Sequence, residues 1–255
     1  MRVSLVSDVH GAFDALKKVA GGSEPLLILG DLINLLDYRT NEGIIPNVLG
    51  REFGEVVAAH RAHGDYAAMR QAWVDAVGSR RAEVRERIDR AVAAEYEICR
   101  DSLAIATGYC TYGNVDNPSL LKDCLPPTMR FVDGETVEIG GMRFGFVGGG
   151  IATPMAAAGE VTDDAMERKL AALGPVDVLC SHLPPAIDAL CTDVITGRRE
   201  RSSRPILDYV IEYQPLRHFY GDVHQPQAHV WRVGKTLCQN VGYFRATRRP
   251  VVFEW

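Results

Sequence analysis

The tripeptide Asp-Val-His occurs twice in the sequence, at positions 8–10 and 222–224, and each copy lies just after an apolar run. In an extended segment, residues two positions apart lie on the same side, so an aspartate and a histidine at this spacing can contact one ion. A single Asp-x-His is more often a turn or a helix N-cap than a metal site. A metal site therefore requires further ligands in the same setting.

Three other apolar runs also end at residues with metal-binding or hydrogen-bonding side chains. "PLLILG" precedes Asp31, "GYCTYG" precedes Asn114, and "PVDVLC" precedes Ser181-His182. Short apolar runs between turn signals are typical of buried strands, and α/β proteins bind ligands at the carboxyl ends of their strands. We therefore expect one site built from five strand ends. Its predicted ligands are Asp8, His10, Asp31, Asn114, His182, Asp222 and His224.

Each of these residues also has an ordinary structural explanation when it is taken alone. Asn114 is suited to a left-handed turn after Gly113, and His182 could cap the Pro184-Pro185 loop. Asp8 and His10 at the end of a buried strand are harder to explain, because buried polar groups need partners. Five such strand ends together favour the metal site.

The donor set predicts the class of metal and the chemistry. Carboxylate, imidazole and amide donors suit Mn²⁺, Fe or Zn²⁺ better than Ca²⁺, which prefers sites made only of oxygen. Seven donors exceed the needs of one tetrahedral ion but suffice for two ions that share a carboxylate. Two such ions can clamp the attacking and leaving oxygens of a phosphate ester. We predict two divalent metal ions, with Mn²⁺ preferred over Fe, Zn²⁺ or Ni²⁺, and a small phosphate-ester substrate.

Taken in order, the motifs resemble those of the calcineurin-like metallophosphoesterases, and most closely the small phosphodiesterase-like members from bacteria and archaea. The strings "GNVDNPSLL", "SHLPP" and "YGDVHQP" are similar to strings of that group. All five blocks of the family are present, and they follow the family order. The blocks are D-x-H (Asp8, His10), G-D (Gly30, Asp31), G-N-x-D (Gly113, Asn114, Asp116), S-H (Ser181, His182) and G-x-x-H (Gly221, His224).

The resemblance implies an α/β fold, a four-layer αββα sandwich of two mixed sheets flanked by helices, with a dinuclear metal centre at the strand ends. It implies hydrolysis by a metal-bridging hydroxide that attacks phosphorus in line, with Asp31, Asn114 and His182 closest to the chemistry. The implied ligands are Asp8, His10 and His224 for the first ion, Asp31 bridging both ions, and Asn114 and His182 for the second, with Asp222 beside them.

Two positions depart from the family pattern. Asp222 stands where the family usually has histidine; it can ligate a metal or hydrogen-bond a ligand histidine, and we favour ligation. Val115 stands where many members have a histidine that protonates the leaving oxygen, a step that valine cannot perform. We expect Asp116 to orient the turn rather than bind metal. These departures motivate an alternative function, a catalytically weak metal-binding scaffold protein of the same fold.

Composition limits the partners and the compartment. The 255 residues are 47% apolar, with a net charge of −5, which argues against a general nucleic-acid binder. This charge does not exclude a nuclease, whose positive charge can be local or supplied by metal ions, but the composition shows no duplex-binding surface. The start of the chain lacks the pattern of a signal peptide, and no apolar run approaches the ~18 residues of a membrane span. The six cysteines are scattered, which suggests reduced thiols. We expect a cytoplasmic protein without a membrane partner.

We predict one metallophosphoesterase-like domain over residues 1–255, with a helical insertion at about 50–106. Apolar residues recur there at helical spacing among charged ones, which predicts two or three amphipathic helices. The insertion could supply selectivity, because it lies between two strands that carry predicted ligands, or it could form a homodimer interface. Elsewhere we predict helices at 11–20, 161–173 and 204–213, a hairpin region at 130–148, and strands near 228–233, 236–241 and 250–254.

Overall fold

A computed structural model describes residues 1–153 and 157–255, and at residue 62 the backbone alone. Within these residues the chain forms two large mixed β-sheets and a small two-stranded one. No helix among them is both long enough and apolar enough to cross a membrane. The six cysteines are all buried free thiols.

The first sheet has five strands in the order β13-β1-β2-β3-β4. Four of them run parallel, and β13 pairs with β1 in the antiparallel sense. The run "LLIL" of β2 is buried at every position, as expected for a strand in the middle of a covered parallel sheet. The strands are β1 (Arg2–Val6), β2 (Leu26–Leu29), β3 (Gly108–Thr111), β4 (Met129–Phe131) and β13 (Val251–Glu254).

The second sheet has six strands in the order β11-β12-β10-β9-β6-β5. Its four central strands are parallel, and both edge strands are antiparallel to their neighbours. Two more strands, β7 (Gly150–Ile151) and β8 (Glu160–Val161), pair separately. The six strands are β5 (Glu135–Ile139), β6 (Met142–Val147), β9 (Val178–Ser181), β10 (Arg217–Tyr220), β11 (Val230–Val233) and β12 (Thr236–Asn240).

The alternating region at 130–148 contributes to both large sheets. β5 and β6 form the expected hairpin, and the turn between them uses Gly140 and Gly141 at φ values of 56° and 81°. β4, however, pairs with β3 in the first sheet. The sequence pattern does not mark this change of sheet, because alternation continues through it.

The two sheets enclose a core of aromatic and aliphatic side chains. Val3 and Leu27 from the first sheet belong to the same buried cluster as Phe144, Val178 and Phe219 from the second. A second cluster joins the second sheet to its helices, and includes Leu179, Met166, Leu170, Ile206 and Val210. Burying side chains of this size contributes about 1.5–3 kcal/mol each before the entropy cost.

Ten α-helices and one 3₁₀ helix (Gly78–Arg80) accompany the strands in the described part of the chain. α7 packs against β5, β6 and α9, and so covers the second sheet. This arrangement, two mixed sheets flanked by helices, confirms the fold class that the resemblance implied. The helices are α1 (Phe13–Ala20), α2 (Ile44–Leu49), α3 (Arg51–His63), α4 (Tyr66–Val77), α5 (Arg81–Leu103), α6 (Pro118–Cys124), α7 (Asp163–Leu173), α8 (Asp188–Cys191), α9 (Arg204–Tyr213) and α10 (Phe244–Thr247).

The chain divides into two compact units: Met1–Leu32 with Cys99–Trp255, and Ile33–Ile98. The second unit is helical and has its own apolar cluster, in which the Phe53 and Trp73 rings meet edge to face with centroids 4.8 Å apart. Within it, Asp65 caps α4 by accepting a hydrogen bond from the backbone N–H of Ala68.

Candidate metal centre

The predicted ligands follow strands that are neighbours within each large sheet. β1, β2 and β3 are adjacent and parallel in the first sheet, and β9 and β10 are adjacent and parallel in the second. Their carboxyl ends therefore meet at one edge of each sheet. Four of the seven residues have left-handed backbone conformations, which non-glycine residues adopt rarely and which cluster at functional sites. These are Asp8 (φ 57°), His10 (φ 40°), Asp31 (φ 55°) and Asp222 (φ 65°).

One cluster of donor atoms joins the first and last predicted ligands. The Nε2 atom of His224 lies 3.5 Å from Oδ1 of Asp8 and 3.3 Å from Nε2 of His10. The same Asp8 oxygen is 3.8 Å from Nε2 of His10. All three residues offer ligand atoms within 4.8 Å of one another, which is close enough to surround one ion. We call this group cluster one.

A second cluster forms around His182. Its Nε2 atom lies 3.5 Å from Oδ1 of Asp31, 3.5 Å from Oδ1 of Asp222 and 3.2 Å from Oδ1 of Asn114. The other ring nitrogen, Nδ1, lies 3.0 Å from the carbonyl oxygen of Leu29, which directs Nε2 toward the cluster. We call this group cluster two.

The carboxylates of Asp31 and Asp8 connect the two clusters. Oδ2 of Asp31 is 3.6 Å from Nε2 of His10, while its Oδ1 faces His182. Asp8 also groups with Asp31 and His182 as possible ligands of a single ion. The structure therefore brings all seven predicted residues together, and Asp31 has one oxygen toward each cluster. That Asp31 bridges two metal ions stays a prediction.

Asp222 and His224 approach different clusters. Asp222 directs its carboxylate to His182 in cluster two, whereas His224 contacts Asp8 in cluster one. The spacing argument placed both side chains of this tripeptide on one side, and that expectation is wrong here. Asp222 has φ of 65°, so the alternation of an extended strand does not apply.

The donor set fits two divalent cations. Oδ1 of Asp8 is buried and accepts no hydrogen bond from the described residues, because the two imidazole nitrogens nearest to it are 3.5 and 3.8 Å away. A buried carboxylate oxygen without a partner is costly, and a metal ion between it and these nitrogens would compensate the cost. Three carboxylates, three imidazoles and an amide oxygen are also ligands that transition-metal ions accept.

Two glycines lie so close to predicted ligands that no larger residue would fit in their place. A Cβ atom on Gly113 would lie 2.0 Å from Oδ1 of Asp31, and one on Gly150 would lie 2.2 Å from Cβ of Asn114. Both positions therefore require glycine while the ligands keep their places.

Asp116 holds the backbone on both sides of cluster two. Its carboxylate accepts hydrogen bonds from the backbone N–H groups of Asp31 (2.8 Å), Leu32 (3.0 Å) and Gly113 (2.9 Å). Burial and the nearby charge of Asp31 raise the pKa of Asp116 to about 6, against the backbone hydrogen bonds that lower it. The side chain thus ties the loop after β2 to the loop after β3.

Opposite charges shift the pKa values inside the two clusters. Burial opposes ionisation of Asp31, but the His182 and His10 imidazoles lower the pKa of its carboxyl group below the usual range. Burial likewise disfavours charge on His182, yet the Asp31 and Asp222 carboxylates raise its pKa well above the usual value. The pKa of His224 is raised in the same way, chiefly by Asp8 against the effect of burial. Metal binding must displace these protons.

Sequence reasoning missed the contribution of residues 240–245. The ring of Tyr243 stacks on the His224 imidazole, and Arg245 donates a hydrogen bond to the backbone oxygen of His10. The stretch "NVGYFR" begins at the last residue of β12 and carries no metal-ligand motif. Its one signal is an aromatic and a basic residue after a strand that ends beside β10.

Comparisons with known proteins support the fold. No family model matches the sequence, and no curated protein matches it. The crystal structure of TT1561 from Thermus thermophilus is similar over 99% of this chain and 98% of that one, with 15% identity and a TM-score of 0.56. An archaeal phosphodiesterase aligns over 99% of this chain and 91% of its own, with 15% identity and a TM-score of 0.40, a value too low to support a conclusion. The first similarity establishes a shared fold, a mixed α/β fold of two large sheets flanked by helices.

Proposed function

We propose that the protein is a metal-dependent phosphoesterase that hydrolyses a phosphodiester at a centre of two divalent ions. The observation that carries this proposal is the convergence of seven donor side chains from five strand ends into two adjoining clusters. Metal-ligand side chains gathered at strand ends are costly to bury without ions, and this geometry offers each cation several donors.

The chain's own residues would hold and orient the reacting groups. Asp8, His10 and His224 would hold one cation, and Asn114 and His182 the other, with Asp31 between them. When bound, two divalent cations offset the charge of a phosphate ester and acidify water. The hydrogen bond between His182 and Leu29 keeps the ligating nitrogen aimed at the site, and Asp116 keeps Asp31 in place.

Charge favours a diester over a monoester as substrate. Asp222 adds a third carboxylate to Asp8 and Asp31, where the resemblance expects a neutral histidine. At neutral pH a phosphodiester carries one negative charge and a monoester nearly two. A site with one more negative group therefore repels the monoester more strongly. Val115 bears on the leaving group and not on this choice, because a substrate with a good leaving group needs no protonation from this position.

Hydrolysis of bis(p-nitrophenyl) phosphate with added Mn²⁺ tests the catalytic claim. We expect activity in the wild-type protein and a loss of at least about 10²-fold in Asp31→Asn, by analogy with the loss of a group that stabilises the transition state. Asp208→Asn is the matched control, because Asp208 is an exposed carboxylate paired with Arg204 on α9. Equal inactivity of wild type and Asp31→Asn with every divalent metal would refute the proposal.

The alternative is a metal-binding scaffold with weak turnover, motivated by Val115 and Asp222. Metal analysis of the purified protein combined with the same assay separates the two functions. Two equivalents of metal with measurable turnover support the enzyme. Bound metal without measurable turnover, together with a tightly bound protein partner, supports the scaffold.

A further inference from the structure

Residues 240–245 form a strap that contacts both Asp-Val-His corners. At its start, the side-chain amide of Asn240 donates hydrogen bonds to the backbone oxygens of Val223 (2.9 Å) and Gly221 (3.4 Å). The oxygen of the same amide accepts from the backbone N–H of Gly242 at 2.6 Å, which fixes the turn that follows. The strap is therefore anchored to the corner after β10, in the second sheet.

The other end of the strap is anchored to the corner after β1, in the first sheet. The backbone N–H groups of Phe244 and Arg245 donate to the carbonyl oxygens of Ser7 (3.1 Å) and Asp8 (3.0 Å). The guanidinium of Arg245 also donates to the carbonyl oxygen of His10 at 2.6 Å. The strap thus links the two Asp-Val-His segments, which supply the three residues of cluster one.

Tyr243 lies between these anchors and contacts both histidines. Its ring stacks on the His224 imidazole with a centroid distance of 3.9 Å and an interplanar angle of 2°. It meets the His10 ring edge to face at 5.9 Å and 71°. Parallel contact over a whole face restricts rotation of the imidazole about its side-chain bonds.

His224 lacks the support that orients His182. Nδ1 of His182 is held by the Leu29 carbonyl, the usual way in which a protein fixes a ligating imidazole. Among the described residues, His224 makes its hydrogen-bond contact through Nε2, which lies 3.3 Å from Nε2 of His10. That atom faces cluster one, so this contact does not support the ring from its other side. Stacking on Tyr243 is the contact that sets the plane of this ring.

We propose that Tyr243 is a positioning residue that sets the His224 imidazole for metal binding in cluster one, with the strap holding the two corners at the required spacing. The inference rests on the proposed function, because it takes cluster one to be a metal site. It predicts that the two metal sites respond differently to changes at position 243. In cluster two, the His182 imidazole is oriented by the Leu29 carbonyl instead.

Titration of the metal-free protein with Mn²⁺, followed by calorimetry, tests the proposal without an activity assay. We expect two sites in the wild type and in Tyr243→Phe, which keeps the ring, with affinities that agree within about twofold. In Tyr243→Leu we expect one site weakened by about 10-fold or more and the other unchanged, the range seen when support of a metal ligand is removed. Tyr213→Leu is the control, because the Tyr213 ring packs at a tilt of 37° against Tyr209 within α9, a different element from the strap.

Tyr243→Met is a second variant of similar reach without a ring, for use if the leucine variant does not fold. Wild-type affinity at both sites in a folded Tyr243→Leu or Tyr243→Met protein would overturn the inference, and so would equal weakening of both sites. Failure of the wild type itself to bind Mn²⁺ would instead overturn the proposed function. The two failures are therefore distinguishable.

Discussion

Asp222 stands where the family that the motifs resemble usually has histidine, and its carboxylate lies 3.5 Å from Nε2 of His182. Replacing it by histidine would remove one negative charge from the proposed phosphate-binding site. We expect Asp222→His to raise the ratio of kcat/KM for p-nitrophenyl phosphate over bis(p-nitrophenyl) phosphate by at least about tenfold, or ~1.4 kcal/mol. Asp208→His on exposed α9 should leave the ratio unchanged. An unchanged ratio in Asp222→His would show that this charge does not set the preference.

His218 on β10 predicts a pH dependence of stability. It is fully buried, and its Nε2 lies 2.7 Å from Oγ of Ser181, whose hydroxyl donates to the Leu183 carbonyl. Burial lowers the pKa of His218 to about 3, from the usual ~6.5 of an unfolded chain. Between pH ~6.5 and 3, the His218 imidazole is protonated in the unfolded state but stays neutral in the folded state. Stability is therefore lost as the pH falls from ~6.5 toward 3.

The measurement is the free energy of unfolding in urea at pH 7 and pH 5, with a chelator present. We expect the loss between these pH values to be about 2 kcal/mol larger in the wild type than in His218→Leu, at ~1.4 kcal/mol per pH unit. His63→Leu, at an exposed position of α3, should lose as much as the wild type. Equal losses in all three proteins would contradict the assignment of a buried neutral imidazole.

At the scale of residues, the candidate ligands could be predicted from the sequence. The residues that orient those ligands could not. Asp31 and His182 stand out because each polar residue follows an apolar strand, where a buried charge needs a reason. Tyr243 does not stand out, since a half-buried tyrosine in a loop is ordinary. Its importance depends on the His224 ring lying against it, which only the three-dimensional structure shows.

At the scale of elements, the turn from β6 into β7 packs closely against Asn114 of cluster two. Gly149 donates to the Tyr112 carbonyl at 2.8 Å, and Lys169 of α7 contacts both the Gly148 carbonyl (3.0 Å) and the Tyr112 hydroxyl (2.7 Å). These bonds hold the turn close to Asn114. The position of a predicted ligand thus depends on a helix and a loop that carry no ligand.

Gly150→Ala tests this packing. A Cβ atom there would overlap Cβ of Asn114 at 2.2 Å, so Asn114 must move away from His182. We expect at least about tenfold weaker Mn²⁺ binding at one of the two sites, measured by calorimetry. Gly21→Ala is the matched control, because the nearest atom to its Cβ lies at 3.6 Å. Unchanged binding in Gly150→Ala would show that Asn114 is not held by this contact.

The strand ends were predictable as elements, whereas their assignment to sheets was not. Apolar runs that end in Asp, Asn or His identified the strands β1, β2, β3, β9 and β10. Nothing in a single sequence shows that the first three lie in one sheet and the last two in another. That choice depends on strand pairing between distant residues. β4 illustrates the limit, because it continues an alternating pattern and yet belongs to the other sheet.

For the whole molecule, we propose a homodimer formed through the helical segment between β2 and β3. The unit Ile33–Ile98 has large apolar side chains at its surface, among them Val74 (58% exposed) on α4 and Val56 (44%) on α3. Light scattering on the full chain should show a dimer for the wild type and for Ile211→Glu, a change at an exposed apolar position of α9. Val74→Glu should shift it to a monomer. A monomeric wild type would contradict the proposal.

The most direct test of the dinuclear centre is the number of metal ions that each chain binds. Equilibrium dialysis against Mn²⁺ followed by elemental analysis should give two equivalents for the wild type. His224→Ala and His182→Ala should each retain about one, because each removes a donor from a different cluster. A wild-type chain that binds no metal, or variants that keep both ions with unchanged affinity, would contradict the account.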